Sequence, residues 1–330
     1  MSEAEWAMGQ VMAGDATPSQ VGALLMALRI NGETVDEVVG FRDAALAHAV
    51  PLAIRPEVVD IVGTGGDAFG GILNISSVAA VVVAATGVPV VKHGNRAASS
   101  RSGALDVLSV LGVHVDLDPA RVAAVFDQVG IAFANAAVLH PGFRHAGPTR
   151  REMGISTLFN VLGPLTNPVR PVASAIGVAD LERVPLINGV LQTRGATALV
   201  YRGEHGIDKL TTTGHSHVWE ITGGGVVEHD LDPRELGIPL AAVDDIVGKD
   251  PEFNAAVIRR VLAGERSPQR DIVLLNAAAA LVAFELWRRP ESRQVAFRDR
   301  LAQQLRVAAS AVDDGAAAAK LAAWAHATSV

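Results

Sequence analysis

The chain contains no cysteine and a single tyrosine, and aromatic residues make up only 4% of its 330 positions. The first absence excludes disulfides and thiolate metal centres, and leaves the redox compartment open. The second has a structural consequence. Hydrophobic residues reach 49% and charged residues only 19%, so a sizeable interior must be built from Ala, Val, Leu and Ile. That composition favours buried parallel strands and close-packed helices over an all-β sandwich.

Long apolar runs are also missing. The longest, Val78–Val91, contains Gly87 and Pro89 and is shorter than the roughly 20 residues that span a bilayer. The opening MSEAEWAMGQ has neither a basic nor an apolar signal-peptide region. Basic residues number 28 against 35 acidic, a net charge of -7 with no basic block, so a general electrostatic footprint for nucleic acid is lacking. A soluble, cytoplasmic protein with no membrane or nucleic-acid partner is expected. Its length suggests one large domain, or two smaller ones that share a core.

The first fifty residues carry helical periodicity. Trp6, Met8, Val11 and Met12 recur at helical spacing; Thr17-Pro18 starts a second helix with an apolar face of Val21, Leu24, Leu25 and Leu28; Asn31-Gly32 ends it, and Thr34 opens a third. Pro51 and Pro56 mark the crossing into a different pattern. Val58–Val62 reads as a short strand followed by GTGGD, a helix capped by Asn74 or Ser76 and ended by Gly87, then a second strand Val88–Val91 and the loop KHGNRAASS. Ser102 opens another helix, to Gly112. Two consecutive βα units put both loops at the carboxyl ends of neighbouring parallel strands, where open α/β sheets bind ligands. Further strands are expected at Ile131–Ala134 and Thr197–Tyr201, a hairpin at His217–Thr222 and Val226–Asp230, and covering helices at Asp271–Trp287 and Arg300–Asp313.

The two loops carry the chemistry. Gly63, Gly65 and Gly66 leave backbone amides unshielded ahead of a helix N-terminus, which attracts phosphate. A tight βα turn without a ligand has the same pattern, and neither the Walker nor the Rossmann spacing is present. The second loop tips the balance, because Lys92, Arg96 and Arg101 accompany His93, Asn95, Ser99 and Ser100 directly after a buried strand. A phosphorylated ligand is therefore expected between Gly63–Asp67 and Lys92–Ser100.

GTGGD, NISS, KHGNRAASS, HPGFRHAGPTRRE and FNVLGPLTNP stand in this order along nearly the whole chain. Together they resemble the anthranilate phosphoribosyltransferase family, with the first family helix shortened or missing. GTGGD and KHGN also occur in outline in pyrimidine nucleoside phosphorylases, whereas FNVLGPLTNP and RRE are more specific. The resemblance implies an α/β fold: a small all-helical domain (1–52 and about 148–172) and a large α/β domain (53–147 and about 173–330) with a mainly parallel central sheet covered by helices. It implies a homodimer through the helical domain, ligands between the domains, and transfer of phosphoribose from 5-phosphoribosyl 1-pyrophosphate to the amine of anthranilate, with Mg²⁺. By resemblance, Gly63, Gly66, Asp67, Asn74, Ser76, Ser77, Lys92, Gly94, Asn95, Ser99 and Ser100 hold the donor. Gly63, His93, Asn95, His140, Phe143 and Arg150 line the anthranilate path, and Ser76 and Asp208 hold metal. No residue is assigned proton transfer, since an aniline nitrogen is unprotonated at neutral pH; Lys92 and Asp67 position the transition state.

Three departures from the family pattern stand out. GTGGDAFGGILNISS carries one extra residue between Asp67 and Asn74, and Ile72 stands near a usual Thr. In GEHGIDKLTTTG, Asp208 remains but Lys209 takes the place of a metal-binding Glu. Exchanging an anion for a cation reverses an interaction of about 4 kcal/mol at about 4 Å and an effective dielectric near 20. Either Lys209 itself neutralises the pyrophosphate, or the protein has left the reaction. Ala137 and Phe143 replace a frequent Pro and Tyr, changes that ordinary packing drift explains. His215 and His217 could form a metal pair, although a solvated, hydrogen-bonded face accounts for them better. The alternatives to the leading activity are a diverged paralogue with another aromatic acceptor or phosphosugar donor, and a non-catalytic phosphate- or nucleic-acid-binding descendant.

Overall fold

The computed structural model describes residues 2–67, 69, 71–96 and 101–329. It opens with three helices, α1 (Ser2–Ala13), α2 (Pro18–Asn31) and α3 (Val35–Ala47). Thr17 and Thr34 cap α2 and α3 through reciprocal boxes with Gln20 and Glu37, and Gly32 adopts φ +78° just past α2. Val21, Leu25 and Leu28 are buried as the periodicity predicts, and so are Met8, Val11 and Met12. Trp6 is not: it lies 67% exposed, on the opposite face of α1.

The rest is built on one seven-stranded sheet: β1 (Val59–Gly63), β2 (Val90–Gly94), β3 (Ile131–Asn135), β4 (Ala173–Gly177), β5 (Thr197–Gly203), β6 (Ser216–Thr222) and β7 (Gly225–Leu231), in the order β3-β2-β1-β4-β5-β6-β7. The first five run parallel; β6 and β7 form an antiparallel hairpin at one edge. The chain winds outward from β1 to β2 and β3, then returns to place β4 on the other side of β1. That reversal opens a crevice at the carboxyl ends of β1 and β4.

Alternate residues feed two cores. Val59, Ile61, Ala175, Leu199 and Tyr201 face the core under α4 (Ile75–Ala85), whereas Val62, Ile176, Val200 and Trp219 face the core shared with the N-terminal helices. Helix α4 is nearly surrounded: Val78, Val81, Val82 and Val83 are all buried. Valine loses about 0.5 kcal/mol per residue in a helix relative to alanine, but full burial of each side chain contributes about 1.5–3 kcal/mol, so burial decides. Between strands lie α5 (Ala104–Val110), α6 (Pro119–Val129), the short α7 (Ala136–Leu139), α8 (Gly147–Met153), α9 (Leu158–Leu162) and α10 (Val184–Thr193). Helices α8 and α9 pack against α2, and α9 also against α3. The C-terminal part contributes α11 (Val243–Ile246), α12 (Pro251–Leu262), α13 (Pro268–Arg288), α14 (Phe297–Asp313) and α15 (Ala316–Ser329). Of these, α13 runs along β4, β5 and α4.

Two of the boundaries that differ from the sequence reading bear on the site. The second strand begins at Val90 and continues through Lys92, His93 and Gly94, which pair with Phe133, Ala134 and Asn135; these polar residues read as loop because buried strands are normally apolar. The helix expected from Ser102 starts at Ala104, where the Asp106 carboxylate accepts from the Gly103 N–H.

Candidate active site

The crevice is a cleft of about 320 Å³ lined by the loop after β1, the start of α4, the end of β2, and residues from α8, α9 and the segment after β5. Gly65 and Gly66 take φ values of +67° and +83°, a backbone that β-carbon-bearing residues adopt only with strain. Thr64 fixes the loop on β4 by donating its N–H to the Gly177 carbonyl and accepting from the Ala179 N–H. Asp67 Oδ1 accepts from the N–H groups of Phe69 and Gly71 at 3.0 and 3.3 Å, so the carboxylate shapes the turn as well as facing the cleft. The loop's far end is held by Ile72, which bridges to Val247. Asn74 exchanges hydrogen bonds with Ser102 and accepts from Asn254. Ser76 lines the cleft half-buried; the Ser77 hydroxyl is buried there with no partner among the described residues.

Beneath this loop sits a cluster of buried charge. The Lys92 ammonium, 2% exposed, donates to the Ile61 carbonyl at 2.8 Å. Asp60 on the neighbouring strand is fully buried; its carboxylate accepts from the His93 N–H at 3.1 Å and from Asn167 at 3.0 Å. Burial raises the Asp60 carboxyl and lowers Lys92 to about 8, while each charge opposes the other's shift.

Asp208 and Lys209, just after β5, complete the cluster. Asp208 Oδ2 accepts from the Gly65 N–H at 2.9 Å, and Lys209 Nζ donates to Asp208 Oδ1 at 2.5 Å and to the Asp208 carbonyl at 2.9 Å. The approach is so close that only glycine fits opposite: a β-carbon at Gly63 would lie 2.2 Å from Asp208 Oδ2 and 3.0 Å from Lys209 Nζ, and one at Gly177 would lie 1.7 Å from the Asp208 carbonyl oxygen.

The other end of the cleft is aromatic and carries one guanidinium. Phe143 packs edge-on to Phe159 at 5.5 Å, and Arg150 lies over the Phe159 ring at 4.8 Å. Arg150 forms no ion pair with any described carboxylate, and its burial disfavours the charged form. His93 forms part of the cleft wall. Burial lowers its pKa to about 3, so the imidazole is neutral at physiological pH. Its Nδ1 donates to the Gly163 carbonyl at 3.0 Å, which makes Nε2 the acceptor nitrogen.

The structure therefore brings Gly63, Gly66, Asp67, Asn74, Ser76, Ser77, Lys92, His93, Gly94, Asn95, Phe143, Arg150 and Asp208 to one cleft. His140 stands one layer back, stacked on Phe143 at 4.8 Å and donating from Nε2 to the Thr166 carbonyl. Ser99 and Ser100 lie outside the described residues, as does Gly70. Sequence reading missed Asp60 and Asn167, which anchor the buried lysine and its strand, and Gly177, whose missing side chain makes room for Asp208. Asn167 lay within FNVLGPLTNP, the one signal available for it. His215 and His217 do not converge on a metal: they pair with Asp230 at 2.7 Å and Glu228 at 2.8 Å across the hairpin. No group of three His, Asp or Glu side chains among the described residues could hold a metal unaided.

Residues 1–49 match the helical bundle domain of a glycosyl transferase family, and residues 55–318 match its a/b domain. The chain is 65% identical over 328 residues to the anthranilate phosphoribosyltransferase of Clavibacter michiganensis subsp. michiganensis, covering 99% of this chain and 93% of that protein. Identity to the same enzyme of Rhodococcus jostii is 50%, covering 100% and 89%. Among solved structures, anthranilate phosphoribosyltransferase from Thermus thermophilus superposes with a TM-score of 0.89 at 38% identity, over 99% of this chain and 95% of that one. The Saccharomyces cerevisiae enzyme, in complex with PRPP and Mg, superposes with a TM-score of 0.84 at 26% identity, over 94% and 85%. With both domain matches, near-complete coverage and the cleft in agreement, the chain belongs to the anthranilate phosphoribosyltransferase family.

Proposed function

We propose that this cleft transfers the phosphoribosyl group of 5-phosphoribosyl 1-pyrophosphate to the amine of anthranilate, giving N-(5-phosphoribosyl)anthranilate and pyrophosphate, a step of tryptophan biosynthesis. The observation that carries this reading is the division of one cleft into two chemistries: a glycine-rich loop over buried lysines at one end, an unpaired arginine among aromatic rings at the other. The first suits a diphosphate. The second suits a flat carboxylate, because the guanidinium fork binds two oxygens in a plane.

On this reading the loop amides of Gly63 and Gly66, with Asp67, Asn74, Ser76, Ser77, Lys92, Gly94, Asn95, Ser99 and Ser100, bind the donor. Gly63, His93, Asn95, Phe143 and Arg150 receive anthranilate, with His140 holding Phe143 in place. The bond from the anomeric carbon to pyrophosphate breaks as the nitrogen lone pair forms the new C–N bond, and the surplus proton on nitrogen passes to solvent. Lys92 and the loop amides stabilise charge gathering on the leaving pyrophosphate, and neutral His93 adds no repulsion toward the cation-like sugar. Mg²⁺ fits here as a companion of the donor rather than as a resident of a protein cage, since it keeps waters and takes one or two protein groups beside phosphate oxygens. Ser76 is the group that would hold it, because Asp208, the other expected ligand, is already paired with Lys209; when bound, the ion would neutralise pyrophosphate charge.

Residues 1–52 and about 148–172 form the helical lobe of this reading. Trp6, Met26 and Ile30, all exposed, support a homodimer through that lobe, and the reaction implies cytoplasmic work. The diverged-paralogue and non-catalytic alternatives are not favoured by a relative 65% identical over nearly the whole chain. The test follows anthranilate fluorescence with the donor and Mg²⁺ present. Loss of fluorescence is expected. No turnover together with no donor binding by calorimetry overturns the assignment, and donor binding without turnover points to another acceptor.

A further inference from the structure

We infer that Lys209 is a built-in cation of the donor site, binding pyrophosphate oxygens directly and leaving the site to recruit a single divalent ion per donor. The inference rests on the donor assignment above.

Three features lead to it. Lys209 is buried yet lines the cleft, directly under the glycine-rich loop and beside Gly63, where a β-carbon would lie 3.0 Å from its ammonium. An ammonium has three hydrogens, and Asp208 accepts two of them, through Oδ1 and its carbonyl; the third is available to a ligand. The second feature is what the pair does to Asp208. With Oδ1 held by Lys209 and Oδ2 by the Gly65 N–H, both oxygens of the carboxylate are already engaged, one of them by a cation. Among the described residues Asp208 belongs to no group of three His, Asp or Glu side chains that could hold a metal. A divalent ion there would have to displace the ammonium or sit against it.

Third, Ser76 at the start of α4 lines the same cleft half-buried, and the neighbouring Ser77 hydroxyl is buried without a partner among the described residues. The geometry therefore divides the work: a divalent ion, donor oxygens and Ser76 on the α4 side, the Lys209 ammonium on the Asp208 side. Lys209 is thereby a binding residue for the leaving group, and its charge is independent of metal concentration.

Mn²⁺ serves as the probe. Equilibrium dialysis with electron paramagnetic resonance counts Mn²⁺ retained per molecule of 5-phosphoribosyl 1-pyrophosphate bound to the full-length protein. One ion per donor is expected, and two after Lys209→Glu, with donor affinity for that variant rising steeply as Mn²⁺ increases. Lys209→Met should weaken donor binding by about tenfold or more at saturating Mn²⁺, and Lys209→Arg should recover most of the loss. Two Mn²⁺ per donor in the natural protein overturns this inference while leaving the proposed function standing, and needs no variant to fold. Unchanged donor affinity in a Lys209→Met protein with an unaltered circular dichroism spectrum also overturns it. No donor binding by the natural protein at any Mn²⁺ concentration overturns the proposed function, and this inference with it.

Discussion

Gly63 illustrates how much of the site depends on a single missing side chain. Its backbone is unremarkable in φ, so a rule about positive φ does not explain it; the 2.2 Å approach of Asp208 Oδ2 does. Gly63→Ala should force that carboxylate aside, break its bond to the Gly65 N–H, lower donor affinity by about tenfold or more and destabilise the fold by about 1–3 kcal/mol. Gly66→Ala is the contrast: no described residue crowds a β-carbon there, and the φ of +83° is what resists it, a cost of about 1–2 kcal/mol. Calorimetry beside thermal melting separates the two, and equal affinity losses would contradict the argument. Lys92 gives a pH signature. Its ammonium falls to about 8 because burial disfavours charge, with Lys209 adding repulsion and Asp60 and Asp208 opposing. An anionic donor favours the protonated form, so affinity should be level below about pH 8 and decline above it, with proton uptake on binding near pH 8–9. Calorimetry in buffers of different ionisation enthalpy measures that uptake directly, and its absence would show that Lys92 does not sense the donor.

Among the elements, α3 separates fold stability from the chemistry. Its Thr34 hydroxyl accepts from the Glu37 N–H, and the Glu37 carboxylate accepts from the Thr34 N–H at 2.8 Å. Thr34→Ala should cost about 1 kcal/mol, lowering the melting temperature by about 2 °C, with kcat and KM unchanged because no atom of the cap reaches the cleft. The strands show where sequence reasoning carried and where it stopped. β1 and its loop were legible because an apolar run ends on clustered glycines. β2 was read too short, since Lys92 and His93 look like surface residues until Asp60 and Gly163 are placed beside them. β4 was not read from the sequence: Ala173–Gly177 is short and made of small residues between Pro171 and Asp180, and its place beside β1 comes from the crossover rather than from its own pattern. Asp60 was invisible for the same reason, because its meaning depends on a lysine in another strand.

At the scale of the molecule, the helical lobe exposes Trp6 at 67%, Ile30 at 75% and Met26 at 41%. Large apolar side chains exposed on α1 and α2, helices that do not line the cleft, suit a contact between copies. Trp6→Glu should halve the mass measured by light scattering while leaving the melting temperature of the protomer nearly unchanged; a natural protein that already runs as a monomer would contradict the proposed assembly. No helix among the described residues is long and apolar enough to cross a membrane, in keeping with the broken apolar run noted in the sequence.

The buried quartet of Asp60, Lys92, Asp208 and Lys209 sums to zero formal charge, drawn from two strands and the segment after a third. Loss of one member leaves three buried charges with an uncompensated remainder, a change far more costly than loss of a matched pair. Substitution at these positions is therefore coupled: the route by which a lysine comes to stand beside Asp208 must pass through a change elsewhere in the cluster or in what the cleft holds. Related sequences that carry an acidic residue at position 209 should differ from this chain in their metal requirement.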